Sequence, residues 1–238
     1  MKKIHLNNNR IDDIDILYED NHLIVCIKPE GLLSQEDETK DLDILTILKE
    51  YIKNEYHKQG NVFLGLVHRL DRRVSGVMVF AKTSKAASRL SEQIRAHTFQ
   101  KKYYAICCGV LNDSNIIVSN LKKRFKDEFI EKNEKEAVLE YKALETFQLD
   151  EKDYTKVLVN LKTGRHNQIR KQFALIDHPL INDFKYDYRG KNYNDHIGLF
   201  CVEIGFNHPI TKEFISFDYQ RIKDFTINDW KEYFGEKI

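Results

Sequence analysis

The sequence predicts an α+β fold with a largely antiparallel, mixed central sheet and flanking helices. Two observations carry that expectation. Apolar and β-branched runs of strand length mix with helical patterns without strict βα alternation. Hydrophobic residues make up 42% of the 238 residues, sufficient for a sizeable core. No Pro/Gly/Ser-rich linker or internal repeat interrupts the chain, so a single domain over residues 1–238 is the simplest organisation, with 1–13 as a short N-terminal extension.

"IDILYEDNHLIVCIKPEGLL" (14–33) reads as two short strands with a turn at Glu19-Asp20-Asn21, followed by a Lys28-Pro29-Glu30-Gly31 break. "LDILTILKEYIKNEY" (42–56) reads as a helix with Leu45, Leu48 and Ile52 on one face. "VSGVMVFAKT" (74–83) is β-branched and aromatic, as a central strand should be. The next segment (84–98) is helical, with Ser84 as N-cap and Ala87, Leu90 and Ile94 as its apolar stripe. "KKYYAICCGV" (101–110) returns as a strand, in which one of Tyr103 and Tyr104 must face inward. The charged stretch 122–137 reads as an exposed hairpin or loop. "VLEYKALETF" and "TKVLVNLKTGR" read as antiparallel strands joined across a Gln148–Tyr154 turn. "HNQIRKQFALI" (166–176) reads as a helix with Ile169, Phe173 and Ile176 on one face, and "HIGLFCVEIGF" (196–206) as a late strand.

No stretch approaches the ~20 apolar residues of a membrane span, and the basic start has no apolar segment behind it, so a cytoplasmic location without membrane attachment is expected. Cys26, Cys107, Cys108 and Cys201 form no CxxC pair, which argues for buried reduced thiols rather than a zinc site. The net charge is only +1, yet residues 68–111 hold nine Lys/Arg against two acids, and residues 154–176 hold five and none. Such segregation suits a polyanion-binding face.

Within the first basic segment, "VHRLDRRVSG" (67–76) sets one carboxylate, Asp71, among Arg69, Arg72 and Arg73, with His68 beside it. A surface ion pair and a catalytic carboxylate in an anion-binding cleft both fit. In the second, "LKTGRHNQIRK" places Gly164 before Arg165 at a helix start, where free N–H groups favour a phosphate or carboxylate. Arg165 is suited to hold a carboxylate bidentately. Asp71 is a candidate partner, which spacing alone does not decide.

"HRLDRRVSGVMVFAKT" resembles the HRLDxxTSGxxxFAKT motif of the RluA-type pseudouridine synthases. The resemblance continues in order through the KPxG turn at Lys28, "KKYYA" (101–105), "LKTGRHNQIR", "HPLINDFKY" and "FNHPITKE", covering roughly residues 14 to 217. It implies the catalytic fold of that family and isomerisation of specific uridines in rRNA or tRNA to pseudouridine, with no cofactor and no metal. It makes Asp71 the catalytic aspartate, Tyr103 the active-site tyrosine and Arg165 the arginine that pairs with Asp71. His68, Arg69, Arg72, Arg73, Lys101, Lys102, His166 and Arg170 are then the expected RNA-binding residues, with His68 also suited to orienting its loop by hydrogen bonding. The residue types suit the chemistry. A carboxylate attacks an electrophilic carbon or stabilises positive charge developing on a sugar, and a tyrosine ring stacks on a base drawn from its helix. RNA is the expected partner of a monomer with no obligate protein partner, and the N-terminal S4-type module of many relatives is not expected.

The sequence departs from the family pattern at Val74, at His166-Asn167, at Asn182 in place of glycine, and at Leu199–Cys201. None of these removes Asp71, Tyr103 or Arg165. A catalytically silent RNA-binding protein is the alternative, against which the intact trio stands. A hydrolytic or phosphate-transferring enzyme would need a Walker loop, a metal cluster or a nucleophile elbow, and the sequence has none.

Overall fold

In chain order the elements are β1 (Lys2–Ile4), β2 (Ile14–Glu19), β3 (Leu23–Lys28), α1 (Ile44–Glu55), β4 (Gly65–Leu66), β5 (Ser75–Ala81), α2 (Ser84–Arg95), β6 (Gln100–Cys108), β7 (Ser114–Leu121), β8 (Lys135–Leu149), β9 (Lys152–Leu161), α3 (Gln168–Leu175), a 3-10 turn (Phe184–Tyr186), β10 (Leu199–Asn207), β11 (Phe214–Asp218), α4 (Gln220–Lys223) and α5 (Ile227–Tyr233). This computed structural model describes residues 2–6, 11–121, 135–194 and 196–234. The stretch 122–134, most of the expected charged hairpin, lies outside them. The fold is α+β with mixed, mostly antiparallel pairing, and the chain divides into two compact units.

The first unit comprises Met1–Gln100 and Phe200–Lys223. Its strands run in the order β1-β2-β3-β5-β10, with β4 on β5 and β11 on β10. The β2–β3 hairpin forms at the expected place because the Asp20 carboxylate accepts from the N–H groups of His22 and Leu23, both at 2.7 Å. Every residue of β3 and β5 is buried, as central strands require. β5 pairs antiparallel with β3 and parallel with β10. Gly76 is why that parallel contact exists. Its φ is +138°, and a Cβ there would lie 2.3 Å from the Cys201 carbonyl oxygen and 2.6 Å from the Cys201 nitrogen. Only glycine admits both the dihedral and the approach.

Helix α1 starts at Asp43, whose carboxylate accepts from Thr46 N–H, and its buried stripe is Ile44, Leu48 and Ile52 rather than one running through Leu45. Helix α2 is capped by Thr83 rather than Ser84, and buries Ala86 and Leu90 while Ala87 and Ile94 stay half-buried. Both differences are shifts of one residue around a correctly placed helix.

The second unit comprises Lys101–Leu199 and Asp224–Ile238, with strands in the order β6-β9-β8-β7, all antiparallel. The β8–β9 turn is tighter than expected: Asp150 and Glu151 both have positive φ, which joins Leu149 to Lys152 directly. Helix α3 packs on this sheet through Phe173, which lies against Tyr141, and through Gln172.

Candidate active site

In the first unit, Asp71 sits half-buried between two residues that the KPEGLLS segment holds from below. Before it, the Ser34 hydroxyl donates to the Leu70 carbonyl at 2.7 Å and accepts from Leu70 N–H at 3.1 Å. After it, Gly31 N–H donates to the Arg72 carbonyl at 2.9 Å, and Arg72 Nε donates back to the Gly31 carbonyl at 3.0 Å. Lys28 is fully buried, and its Nζ donates to the carbonyls of Pro29, Leu32 and Arg72 at 2.9, 2.8 and 3.3 Å. Loss of hydration pushes its ammonium down to about 7, while the Glu30 and Asp71 carboxylates pull the other way and Arg72 adds to the fall. The Asp71 carbonyl in turn accepts from Val74 N–H at 3.1 Å. The loop presenting the aspartate is therefore fastened at the carbonyls of Leu70, Asp71 and Arg72 and at the N–H groups of Leu70 and Val74.

Of the other residues in this stretch, His68 is tied to β5 by a hydrogen bond. Its Nε2 accepts from Val79 N–H at 3.1 Å, and its ring lies 5.5 Å from that of Phe99. Arg69 is exposed, whereas the Arg72 guanidinium pairs with Asp41 at 2.6 Å at the surface. Lys82, counted in the same basic segment, is turned inward to Glu19 at 2.8 Å.

In the second unit, antiparallel pairing of β6 with β9 brings the start of β6 beside the end of β9. Tyr103 is the inward member of its pair, 6% exposed, while Tyr104 is half-buried with Lys156 Nζ 4.8 Å from its ring centre. The same end of the sheet carries the Gly164-Arg165-His166 turn. Lys101 Nζ lies close enough to meet a Cβ on Gly164 at 3.1 Å, so Lys101 and the Arg165 turn converge. Arg165 N–H donates to Gln168 Oε1 at 3.0 Å, as does Thr163 Oγ1 at 2.8 Å. One backbone donor expected to be open to an anion is thus taken by a side chain of α3 itself. Arg165 Nε donates to the Glu136 carbonyl at 3.1 Å, and His166 is exposed.

Arg170 departs from the expected RNA contact. It is 7% exposed and holds the fully buried Asp183 through two hydrogen bonds, of 2.7 and 2.6 Å. Its guanidinium also lies 4.8 Å from the Tyr186 ring centre, whose hydroxyl accepts from Asn167 Nδ2 at 2.9 Å. A guanidinium so engaged organises a loop and is not presented to a phosphate. Asn167 and Asn182, two of the departures from the family pattern, both adopt left-handed φ, 53° and 62°. Asparagine tolerates that region better than most residues. The Asn182 side chain further donates to Asn194 Oδ1 and the His196 carbonyl and accepts from Tyr193 N–H.

Several residues that hold the site escaped sequence reasoning: Ser34 and the inward turn of Lys28 in the first unit, Gln168 and Gln172 in the second. The two glutamines, one turn apart on α3, bond to each other, and Gln168 donates to the Val138 carbonyl and Gln172 to those of Ile117 and Ala137. Sequence signals existed for Lys28, which opens the KPEG turn, and for Gln168, which lies inside the TGRHNQIR segment, but neither signal specified the partners. Cys26, Cys107 and Cys201 are buried free thiols as expected, whereas Cys108 is half-buried; burial raises the Cys26, Cys107 and Cys108 thiols, Cys108 to about 12. Among the described residues, no group of three or more His, Cys, Asp or Glu is arranged to hold a metal ion.

Residues 22–175 match the family model described as RNA pseudouridylate synthase. An uncharacterized RNA pseudouridine synthase of Bacillus subtilis (strain 168) is 31% identical over 211 residues, 87% of this chain and 68% of that protein. A ribosomal large subunit pseudouridine synthase C of Buchnera aphidicola subsp. Baizongia pistaciae is 32% identical over 89% of this chain and 69% of its own length. A tRNA pseudouridine synthase C of Vibrio parahaemolyticus is 29% identical over 84% of this chain and 87% of its own. Among solved structures, human RNA pseudouridylate synthase domain containing 4 shares the fold with a TM-score of 0.72 at 21% identity, covering 91% of this chain and 90% of that one. With the fastened Asp71 loop and the ordered motifs, these similarities lead to one conclusion: the chain belongs to the RNA pseudouridylate synthase family.

Proposed function

We propose that this RNA pseudouridine synthase isomerises uridines of ribosomal RNA or tRNA with Asp71 as its catalytic carboxylate and without a cofactor. The observation that carries the reading is the Asp71 loop, whose neighbours on both sides are fastened by the 28–34 segment. A catalytic group gains from being held in one geometry before substrate arrives. In the reaction the bond from C1′ to N1 breaks, the base turns, C1′ bonds to C5, which gives up its proton, and N1 takes up a proton, so that the product is an isomer of the substrate. Asp71 supplies the nucleophile or the negative charge that stabilises the detached fragment. We assign Tyr103 to the base and Arg165 to the charge of the aspartate. The exposed cations Arg69, Arg72 and His166, with Lys101, Lys102 and Arg73, are assigned to RNA phosphates.

Relatives named for tRNA and for the large ribosomal subunit match at 29% and 32% identity, so both RNA classes stay within the proposal. The family match runs from residue 22 to residue 175, through parts of both compact units, which supports treating the chain as one catalytic domain. The test is to map pseudouridines in total RNA with and without the gene. One or a few sites vanish when the gene is deleted; an unchanged map in both RNA classes contradicts the proposal.

A further inference from the structure

We propose that Ser34 is a positioning residue for Asp71, an inference that rests on Asp71 being the catalytic carboxylate. The geometry is local and complete. A residue's backbone has only two soft dihedrals, and they are set by the peptide planes on either side of its Cα. The plane preceding Asp71 contains the Leu70 carbonyl, to which the Ser34 hydroxyl donates at 2.7 Å. The plane following it contains the Asp71 carbonyl, which accepts from Val74 N–H at 3.1 Å. Ser34 also accepts from Leu70 N–H at 3.1 Å, so both polar groups of Leu70 end on one side-chain atom. A hydroxyl can do this because it donates and accepts at a single oxygen. Ser34 and Leu70 are 6% and 7% exposed, so the clamp is shielded from water. With both planes held, the Cα–Cβ direction from which Asp71 carries its carboxylate is held too.

Ser34 touches no reacting atom in this scheme and acts through the backbone of Leu70. Its loss should therefore appear in the rate of the bound complex and not in RNA affinity. A carboxylate displaced by about 1 Å costs roughly 100-fold in rate, so Ser34→Ala should slow turnover at saturating RNA by about 10- to 100-fold. KM for RNA should stay near that of the wild type, while the midpoint of urea unfolding should fall, because the buried Leu70 N–H and carbonyl lose their shared partner. Ser34→Thr restores the hydroxyl and should restore most of the rate, its added methyl being accommodated by the flexible Met78, whose sulfur is 3.8 Å from Ser34 Oγ. If Ser34→Ala does not fold, Ser34→Cys serves in its place, because a thiol is near in size and a weak partner in hydrogen bonds. A folded variant without the hydroxyl that turns over as fast as wild type overturns the proposal. So does a loss shared equally by KM, or one that threonine does not relieve. Asp71→Asn is measured alongside: an inactive Asp71→Asn with a normal Ser34→Ala removes only the role of Ser34, whereas an active Asp71→Asn removes the reading of Asp71 as well.

Discussion

Lys28 is a lysine with no exposed surface, held by three backbone carbonyls. Those carbonyls use all three donors of the ammonium, yet removal from water still drives its proton affinity down to about 7. In the unfolded chain a lysine titrates near 10.4. Between those two values the unfolded state binds more protons, so this group makes folding more favourable as pH rises, by at most about 1.4 kcal/mol per pH unit. Urea unfolding of the wild type and Lys28→Met at about pH 7.5 and pH 9 should therefore show the wild type gaining on the variant by roughly 1–2 kcal/mol. A gap that does not move with pH would mean that Lys28 keeps an ordinary affinity. The sequence marks Lys28-Pro29-Glu30-Gly31 as a turn, but lysines are almost never fully buried without partners. Those partners are backbone carbonyls, one of them 44 residues away, which no local pattern encodes.

At the scale of elements, the segment from α3 to β10 is organised by one buried and several half-buried polar pairs. Arg170 on α3 holds Asp183, Asn167 at the helix start holds Tyr186, and Asn182 holds the 193–196 segment. Arg170→Ala leaves a carboxylate with no exposed surface unpaired, which should cost about 3–5 kcal/mol of folding stability. Arg170→Leu combined with Asp183→Asn should recover much of that loss, because the two residues act as a pair. Additive losses in urea unfolding would show that Asp183 does not depend on Arg170. The long helices and central strands were legible because their periodicity is strong: α1, α2 and α3 and strands β2, β3, β5, β6, β8, β9 and β10 lie where the patterns put them. Strand β7 was missed because most of its residues are exposed, and β11 because it shows no fully buried face. The cap of α2 lies one residue earlier than expected because adjacent Thr83 and Ser84 are both good caps, and only the geometry selects Thr83.

For the whole molecule, the three residues to which we assign the chemistry were legible and much of what holds them was not. Asp71, Tyr103 and Arg165 stand in contiguous motifs, whereas Ser34 meets Leu70 across 36 residues of sequence and Gln172 meets Ile117 across 55. The charge segregation was legible only in part, because Lys82 and Arg170 spend their charges on Glu19 and Asp183 inside the protein. The proposed chemistry rests on one carboxylate, Asp71. Asparagine at that position is nearly isosteric but is neither an anion nor a nucleophile. The direct measurement is tritium release from RNA containing 5-³H-uridine, wild type against Asp71→Asn, with RNA binding followed in parallel. Wild type should release tritium, and Asp71→Asn should bind RNA but release less than about a thousandth as much per unit time, as loss of an essential catalytic carboxylate requires. An Asp71→Asn protein that keeps more than about a tenth of wild-type turnover would contradict the assignment.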